Sequence, residues 1–363
     1  MTSLSVAVVG GGRWARALAS FLLHNQRRLP DRISSVLHYC PPREMLRTGP
    51  DDNRAESEPA QVDVPAAIGE VPEVHAAHSA QQAERKQVTT IVASDLASAD
   101  VIFLAVPAPA VRKVLRLAAP HLHGNQTAIH AIGSVIPASE EFPHTQLISQ
   151  AIAELTPIRK IGVFAGPALA PDLEEFSPAA LVCGSRFDEV GDQAIQVLSG
   201  HSLLVYKTRD LIGVELARAG SSVIALAAGV ANILDLGTPA RAILITRGAA
   251  EMARLAAKLG AEERTFFGLA GVGEYVAATE RRGSADFELG RLLGQRVPLS
   301  DALRQVGRVC DGPAMVREAH ILGHKHQVRT SIVSALYHLL HGKFDTKSAL
   351  ISLLSTDIHD ERQ

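Results

Sequence analysis

Residues 4–9 (LSVAVV) form an unbroken apolar run that stops at three glycines, and residues 13–24 then place Trp14, Leu18, Phe21 and Leu22 at helical spacing. Residues 33–39 (ISSVLHY) return to a β-rich pattern. Strand, glycine turn, helix and strand in that order predict the opening of a parallel, doubly wound α/β sheet. Residues 41–90 break the rhythm. They are rich in Pro, Glu, Asp, Gln and Ala with no sustained apolar period, and predict a long polar excursion, partly mobile. A strand resumes at Val101–Val106, is ended by Pro107, and is followed by a helix at 111–119. Further strands are expected at 126–133, 161–171, 179–185 and 201–208. After Asp210 the period lengthens into helical patterns with Ala and Gly on the apolar faces, which permit close helix approach. The pattern therefore divides the chain into an α/β part, residues 1–208, and an all-α part, residues 209–363.

A length of 363 residues fits two such domains. The net charge of −2 provides no basic field, which argues against nucleic acid or an anionic membrane as partner. Cys40, Cys183 and Cys310 are odd in number and form no CxxC pair, so a reducing compartment is expected. The pairs His121/His123, His324/His326 and His338/His341 lack an HExxH arrangement, and no metal site is expected. The N-terminus has no basic leader region, and the apolar run Val223–Leu236 is broken by Asn232 and Asp235 and is shorter than the ~20 residues of a membrane span. A cytoplasmic protein acting on a small molecule is the resulting class.

The turn Gly10-Gly11-Gly12-Arg13-Trp14-Ala15 fits G-x-G-x-x-[GA] between a strand and a helix. Gly10 permits the tight turn, Gly12 lets backbone approach a pyrophosphate, and Ala15 lets helix pack on strand. The helix N-terminus then faces the phosphates with free N–H groups. These six residues, with Pro107 at the end of the next strand and Arg43, are the candidate cofactor contacts. The alternative is a glycine turn kept for packing alone. No acid stands near Leu37–Cys40 to take a ribose 2′-hydroxyl, and Arg43 follows where a 2′-phosphate would be met, so NAD and NADP both remain open.

The stretches "GGGRWARAL" (10–18), "ADVIFLAVPAPAVRKVL" (99–115), "AGPALAPDLEEFSPAALV" (165–182), "LIGVELARAGSSVIALAAGVANILDLG" (211–237), "RAILITRGAAEMARLAAKLGA" (241–261) and "FFGLAGVGE" (266–274) resemble the NAD(P)-dependent glycerol-3-phosphate dehydrogenases over nearly the whole chain. The resemblance implies a Rossmann-type domain followed by an all-helical substrate and dimerisation domain, and a homodimer. It also implies hydride transfer at carbon 2 of glycerol 3-phosphate, with a lysine as acid/base, a second lysine in support, an orienting aspartate, and an Arg-Asn pair on the phosphate. Carried over by position, the first lysine falls on Ser221 and the asparagine after it on Ser222. The second lysine falls on Ile132, the aspartate on Glu274, an expected threonine on Ala278, and the Arg-Asn pair on Ala285-Asp286. Asp286 is expected to repel a phosphate. Arg241 and Arg247 keep family charges.

Three readings follow. One is a dehydrogenase repurposed for a small hydroxy or keto substrate without phosphate. There Glu274 is acid or base through a burial-raised carboxyl, Ser221 bonds the carbonyl, and Ser222 and Arg241 contact substrate. The second is a catalytically silent dinucleotide-binding protein, a sensor or partner subunit. The third is a working glycerol-3-phosphate dehydrogenase. The structural alternative for Glu274 is a carboxylate capping a helix near Gly273.

Overall fold

The computed structural model describes residues 2–42, 89–90, 92–138, 144–233, 237–279 and 284–342. Most of the polar excursion at 41–90, with Arg43, lies outside the described residues. Eight strands form one sheet: β1 (Leu4–Val9), β2 (Ile33–Tyr39), β3 (Thr89–Thr90), β4 (Val101–Leu104), β5 (Thr127–His130), β6 (Lys160–Ala165), β7 (Ala179–Ser185) and β8 (Leu203–Thr208). Their order is β3-β2-β1-β4-β5-β6-β7-β8. The chain runs outward from β1 through β2 to β3, then crosses back to place β4 on the other side of β1. That reversal is a topological switch point, where ligands bind outside the carboxyl ends of the strands.

Strands β3 to β6 are mutually parallel. β7 runs antiparallel to β6 and parallel to β8, so the expected parallel sheet carries a reversed pair at one edge. Three strands, 4–9, 33–39 and 179–185, fall where the apolar pattern places them. The runs expected at 126–133 and 161–171 yield shorter strands. In the second, Gly166 has φ +134° and lies so near the neighbouring strand that a Cβ there would sit 2.6 Å from the Ala180 carbonyl oxygen. Only glycine tolerates that turn, and it ends β6.

Among the strands lie α1 (Arg13–Arg28), α2 (Val111–Ala118), α3 (Ile148–Leu155), α4 (Ala170–Glu174) and α5 (Asp188–Leu198). After β8 the described chain is helical: α6 (Leu211–Asn232), α7 (Gly237–Ala257), α8 (Glu274–Ala278), α9 (Ala285–Gly294), α10 (Leu299–Val306), α11 (Gly312–His326) and α12 (Ser331–Leu340), with short 3₁₀ and π turns between α7 and α8. One face of the sheet is covered by α1 and α5 through Leu18, Phe21, Leu22, Val190 and Val197. The other is covered by α2 and α3 through Val111, Val114, Ile148 and Ile152. A third cluster joins the helices to β6 through Val163 and Ala165.

Helix α6 is long and apolar enough to cross a membrane by length and composition, contrary to the expectation drawn from 223–236 alone; 89% of its apolar window is buried inside the protein, as in a core helix. Its start is set by Asp210. That carboxylate accepts the Gly213 N–H at 2.8 Å, the Glu262 N–H at 3.0 Å and the Thr265 hydroxyl at 2.6 Å. One side chain thus caps the helix and ties it to the segment after α7. A second tie is the Glu215 carboxylate, which accepts the Ser149 N–H and hydroxyl from α3 and lies 3.4 Å from His130 of β5. Burial acts to raise Glu215, but His130 and Ser149 outweigh it and leave it below its ordinary value.

Small residues on α6 allow α9 to approach at backbone distance. A Cβ on Gly229 would lie 2.1 Å from the Phe287 carbonyl oxygen, and one on Gly290 would lie 2.1 Å from that of Leu226. Gly229→Ala therefore has to push α9 away. The expected loss is about 1–3 kcal/mol of unfolding free energy, measured by urea titration. An unchanged midpoint would contradict this packing.

Candidate active site

The glycine turn lies at the carboxyl end of β1, beside the switch point. Gly10 has φ +149°, and a Cβ on it would lie 2.2 Å from the Ala105 carbonyl oxygen at the end of β4 and 3.1 Å from Ala15 Cβ. Protein packing therefore demands glycine at position 10 and a small side chain at 15. Gly12 is different. It has ordinary extended geometry, φ −71°, and a Cβ there would meet nothing within 4 Å. Packing alone does not account for that glycine. Gly12 caps α1, no side chain satisfies the first-turn N–H groups, and no acid stands in that turn. Open space before an uncapped helix start is what a pyrophosphate needs, so the residues present fit a dinucleotide.

The rest of the turn is held from outside. His38 Nε2 lies 2.7 Å from the Gly10 carbonyl oxygen. Burial keeps this imidazole below its ordinary value of 6.5, with Arg16 adding to the effect, so the neutral ring donates. His38 is a residue that sequence reasoning missed; a polar side chain in an otherwise apolar strand end was its only signal. Trp14 donates from Nε1 to the Ala168 carbonyl at 3.2 Å. Arg13, expected at the cofactor, pairs with Glu174 of α4 at 2.7 Å. Pro107 follows β4 at the same carboxyl edge and starts a 3₁₀ turn. At the end of β2, Tyr39, Cys40, Pro41 and Pro42 include no carboxylate.

Further along the same edge, Gly133 after β5 and Gly166 after β6 meet α6 and α8. Glu274, the first residue of α8, is buried. Its Oε2 accepts the Gly166 N–H at 2.8 Å and its Oε1 is paired with Arg218 Nη1 of α6. Glu274 therefore neither caps the turn at Gly273 nor stands as a lone carboxyl. Both of its oxygens are engaged by these two partners. Ser221 is where the resemblance looks for a lysine, but Arg218 stands one helical turn earlier and meets the same Glu274. The signal was helical spacing, since residues three apart share a face.

Arg218 Nε is buried and has no hydrogen-bond partner among the described residues. A Cβ on Gly133 would lie 3.6 Å from it and 3.9 Å from Asp311 Oδ2. Ser221 and Ser222 return their hydroxyls to the helix, donating to the carbonyls of Arg218 and Ala219 at 2.7 and 2.8 Å. Arg241 is exposed on the first turns of α7.

Asp286, expected to repel a phosphate, is buried and accepts the Gly312 N–H at 2.7 Å, at the start of α11. Burial and the neighbouring Asp311 push it up to about 8 despite that bond and the charge of Arg308. Near neutral pH it therefore carries a proton and offers little repelling charge. Asp311 is raised by burial and partly restored by Arg218.

Residues 83–191 match the family described as NAD-dependent glycerol-3-phosphate dehydrogenase N-terminus, and residues 210–351 match its C-terminus. The glycerol-3-phosphate dehydrogenase [NAD(P)+] of Pseudomonas aeruginosa (strain LESB58) is 32% identical over 92% of this chain and 89% of its own. The chain belongs to the NAD-dependent glycerol-3-phosphate dehydrogenase family. The Bacillus subtilis (strain 168) enzyme of the same name is 34% identical over 74% of this chain and 77% of its own. The structure of the glycerol-3-phosphate dehydrogenase from Coxiella burnetii shares the fold, with TM-score 0.76 at 24% identity over 98% of this chain and 99% of that one. A Saccharomyces cerevisiae structure gives 0.74 at 15% over 98% and 100%. The resemblance read from the sequence is thereby borne out. So is the fold class, a Rossmann-type sheet followed by helices.

Two outcomes test this geometry. A Cβ at Gly12 meets no protein atom within 4 Å, so Gly12→Val changes thermal melting of the protein alone by no more than a lost N-cap preference, about 1 kcal/mol. Binding of NADH and NADPH, followed by fluorescence titration, weakens by at least about tenfold, or 1.4 kcal/mol. Asp286→Asn keeps an acceptor for the α11 start but cannot titrate. The folded value of Asp286 lies above its ordinary 3.8, so its contribution to stability is full below that value and is lost as pH rises through 8. Melting temperature from about pH 5 to 9 therefore falls less steeply in Asp286→Asn than in the wild type.

Proposed function

We propose that this chain is an NAD(P)-dependent oxidoreductase that moves hydride between the nicotinamide and a small hydroxy or keto substrate lacking a phosphate. The observation that carries the reading is the Arg218–Glu274 pair at the carboxyl edge of the sheet, in line with an open, uncapped glycine turn. The cofactor supplies or takes the hydride when bound. The chain's own residues do the rest. The α1 N-terminus holds the pyrophosphate. Glu274 fixes the guanidinium, and Ser221 keeps acceptor capacity for a substrate hydroxyl while donating to the helix. Residues 1–208 serve the cofactor, and residues 209–363 supply the substrate side and a homodimer face.

A second reading rests on the relatives. Proteins named glycerol-3-phosphate dehydrogenase [NAD(P)+] match this chain at 32–34% identity, which favours glycerol 3-phosphate itself. A phosphate dianion calls for a fork of unengaged donors. The guanidinium nearest the corner is already paired with Glu274.

The deciding measurement is oxidation of NADH and NADPH by purified protein with phosphorylated and unphosphorylated hydroxyketones. The expected result is a higher kcat/KM with an unphosphorylated ketone than with dihydroxyacetone phosphate. Turnover of dihydroxyacetone phosphate of order 10 s⁻¹, an ordinary enzyme rate, restores the second reading. Cofactor binding with no turnover of any carbonyl makes the chain a silent dinucleotide-binding protein.

A further inference from the structure

We propose that Arg218 is the catalytic cation of this site, which binds the reacting oxygen through its Nε–H and stabilises the charge that develops there. The inference rests on the oxidoreductase reading above and holds for either substrate class. Three observations carry it. The Nε–H is a buried donor with no partner among the described residues, and a protein seldom leaves such a group unsatisfied without a use for it. It lies against Gly133, where a Cβ would stand 3.6 Å from Nε, at ordinary contact distance. The guanidinium cannot swing away, because Glu274 holds Nη1 and is itself held by the Gly166 N–H.

The charged and titratable groups around Arg218 are consistent with this assignment. Glu274 comes from α8. Asp311 stands before α11 with Asp286 behind it and Arg308 acting on Asp286. The His130–Glu215 pair lies one turn earlier on the α6 side, and the Tyr275 phenol is buried beside Glu274. Among these described residues, none is a second cation paired with Glu274. A guanidinium does not give up its proton at any pH a protein survives. Arg218 therefore acts by charge and hydrogen bonding, not by proton transfer. In ketone reduction the carbonyl carbon gains the hydride of NAD(P)H and the C=O π pair moves onto oxygen. The Arg218 Nε–H stabilises that oxygen, and a water proton completes the alcohol while NAD(P)⁺ is left. Such preorganised donors are most effective where water is excluded.

The test combines cofactor titration, steady-state kinetics and guanidinium rescue of Arg218→Ala. Removal of one oxyanion donor typically costs about 10²–10³ in kcat, and that loss is expected here. The Kd for NADH and NADPH, read by fluorescence, stays within about threefold. Added guanidinium chloride, at concentrations that leave the melting temperature unchanged, restores part of kcat with saturation. Arg218→Lys, which keeps a cation on Glu274, retains more kcat than Arg218→Ala. A kcat within about threefold of wild type in Arg218→Ala overturns the proposal. A loss that guanidinium does not rescue and Arg218→Lys does not lessen overturns it as well, and makes Arg218 a structural pin for Glu274. A wild-type protein that binds cofactor but reduces no carbonyl defeats the oxidoreductase reading, and this inference with it.

Discussion

Helix α6 has almost no solvent face, and the polar groups it carries must find partners inside the protein. An unpaired buried charge costs several kcal/mol, so this demand arranges the neighbouring elements. Asp210 fixes the helix start against the segment at 262–265. Glu215 draws in Ser149 and His130 from the sheet side. Arg218 draws in Glu274, which in turn takes the N–H at the end of β6. Ser221 and Ser222 solve the same problem locally by returning to helix carbonyls. Arg218 Nε, His130 Nε2 and the Tyr275 hydroxyl are buried here without a hydrogen-bond partner among the described residues, and Arg218 lies at the ends of β5 and β6.

Much of the fold was legible because its signals are local. A buried strand is a short apolar run bounded by glycine or proline, and β1, β2 and β7 matched to the residue. Strand direction is not local. The antiparallel pairing of β6 with β7 follows a turn at Gly166, whose positive φ and close Ala180 carbonyl admit only glycine. No periodicity encodes that contact.

The site divides along the same line. Gly10, Gly12 and Ala15 could be read from spacing, and the structure gives each a separate reason: close backbone, open space and close helix packing. Arg13 read as a cofactor contact from its place in the turn, and its pairing with Glu174, far along the chain, carries no signal in that spacing. Asp286 read as a charge that repels a phosphate; burial beside Asp311 raises its carboxyl, and it caps the start of α11. Arg218 was overlooked because position-by-position transfer inspects one residue, whereas a helix presents residues three apart to the same neighbour.

The electrostatics of the corner then bear on what it holds. Arg218 and Glu274 cancel, and Asp286 and Asp311 are both displaced towards their protonated forms by burial. Burial and the closeness of Asp286 to Asp311 oppose a further negative charge at the corner, where Arg218 and Glu274 already form a pair. A dianion brought there would surrender its hydration for one guanidinium already engaged, a poor exchange in a medium of low dielectric. A carbonyl or hydroxyl surrenders far less and gains a charged donor aimed at the oxygen. Charge that develops only in the transition state gains most, since the guanidinium is fixed before the reaction begins and needs no reorientation. Under the proposed reading, a corner of this kind favours an uncharged carbonyl over a dianion and gains from the charge separation of hydride transfer.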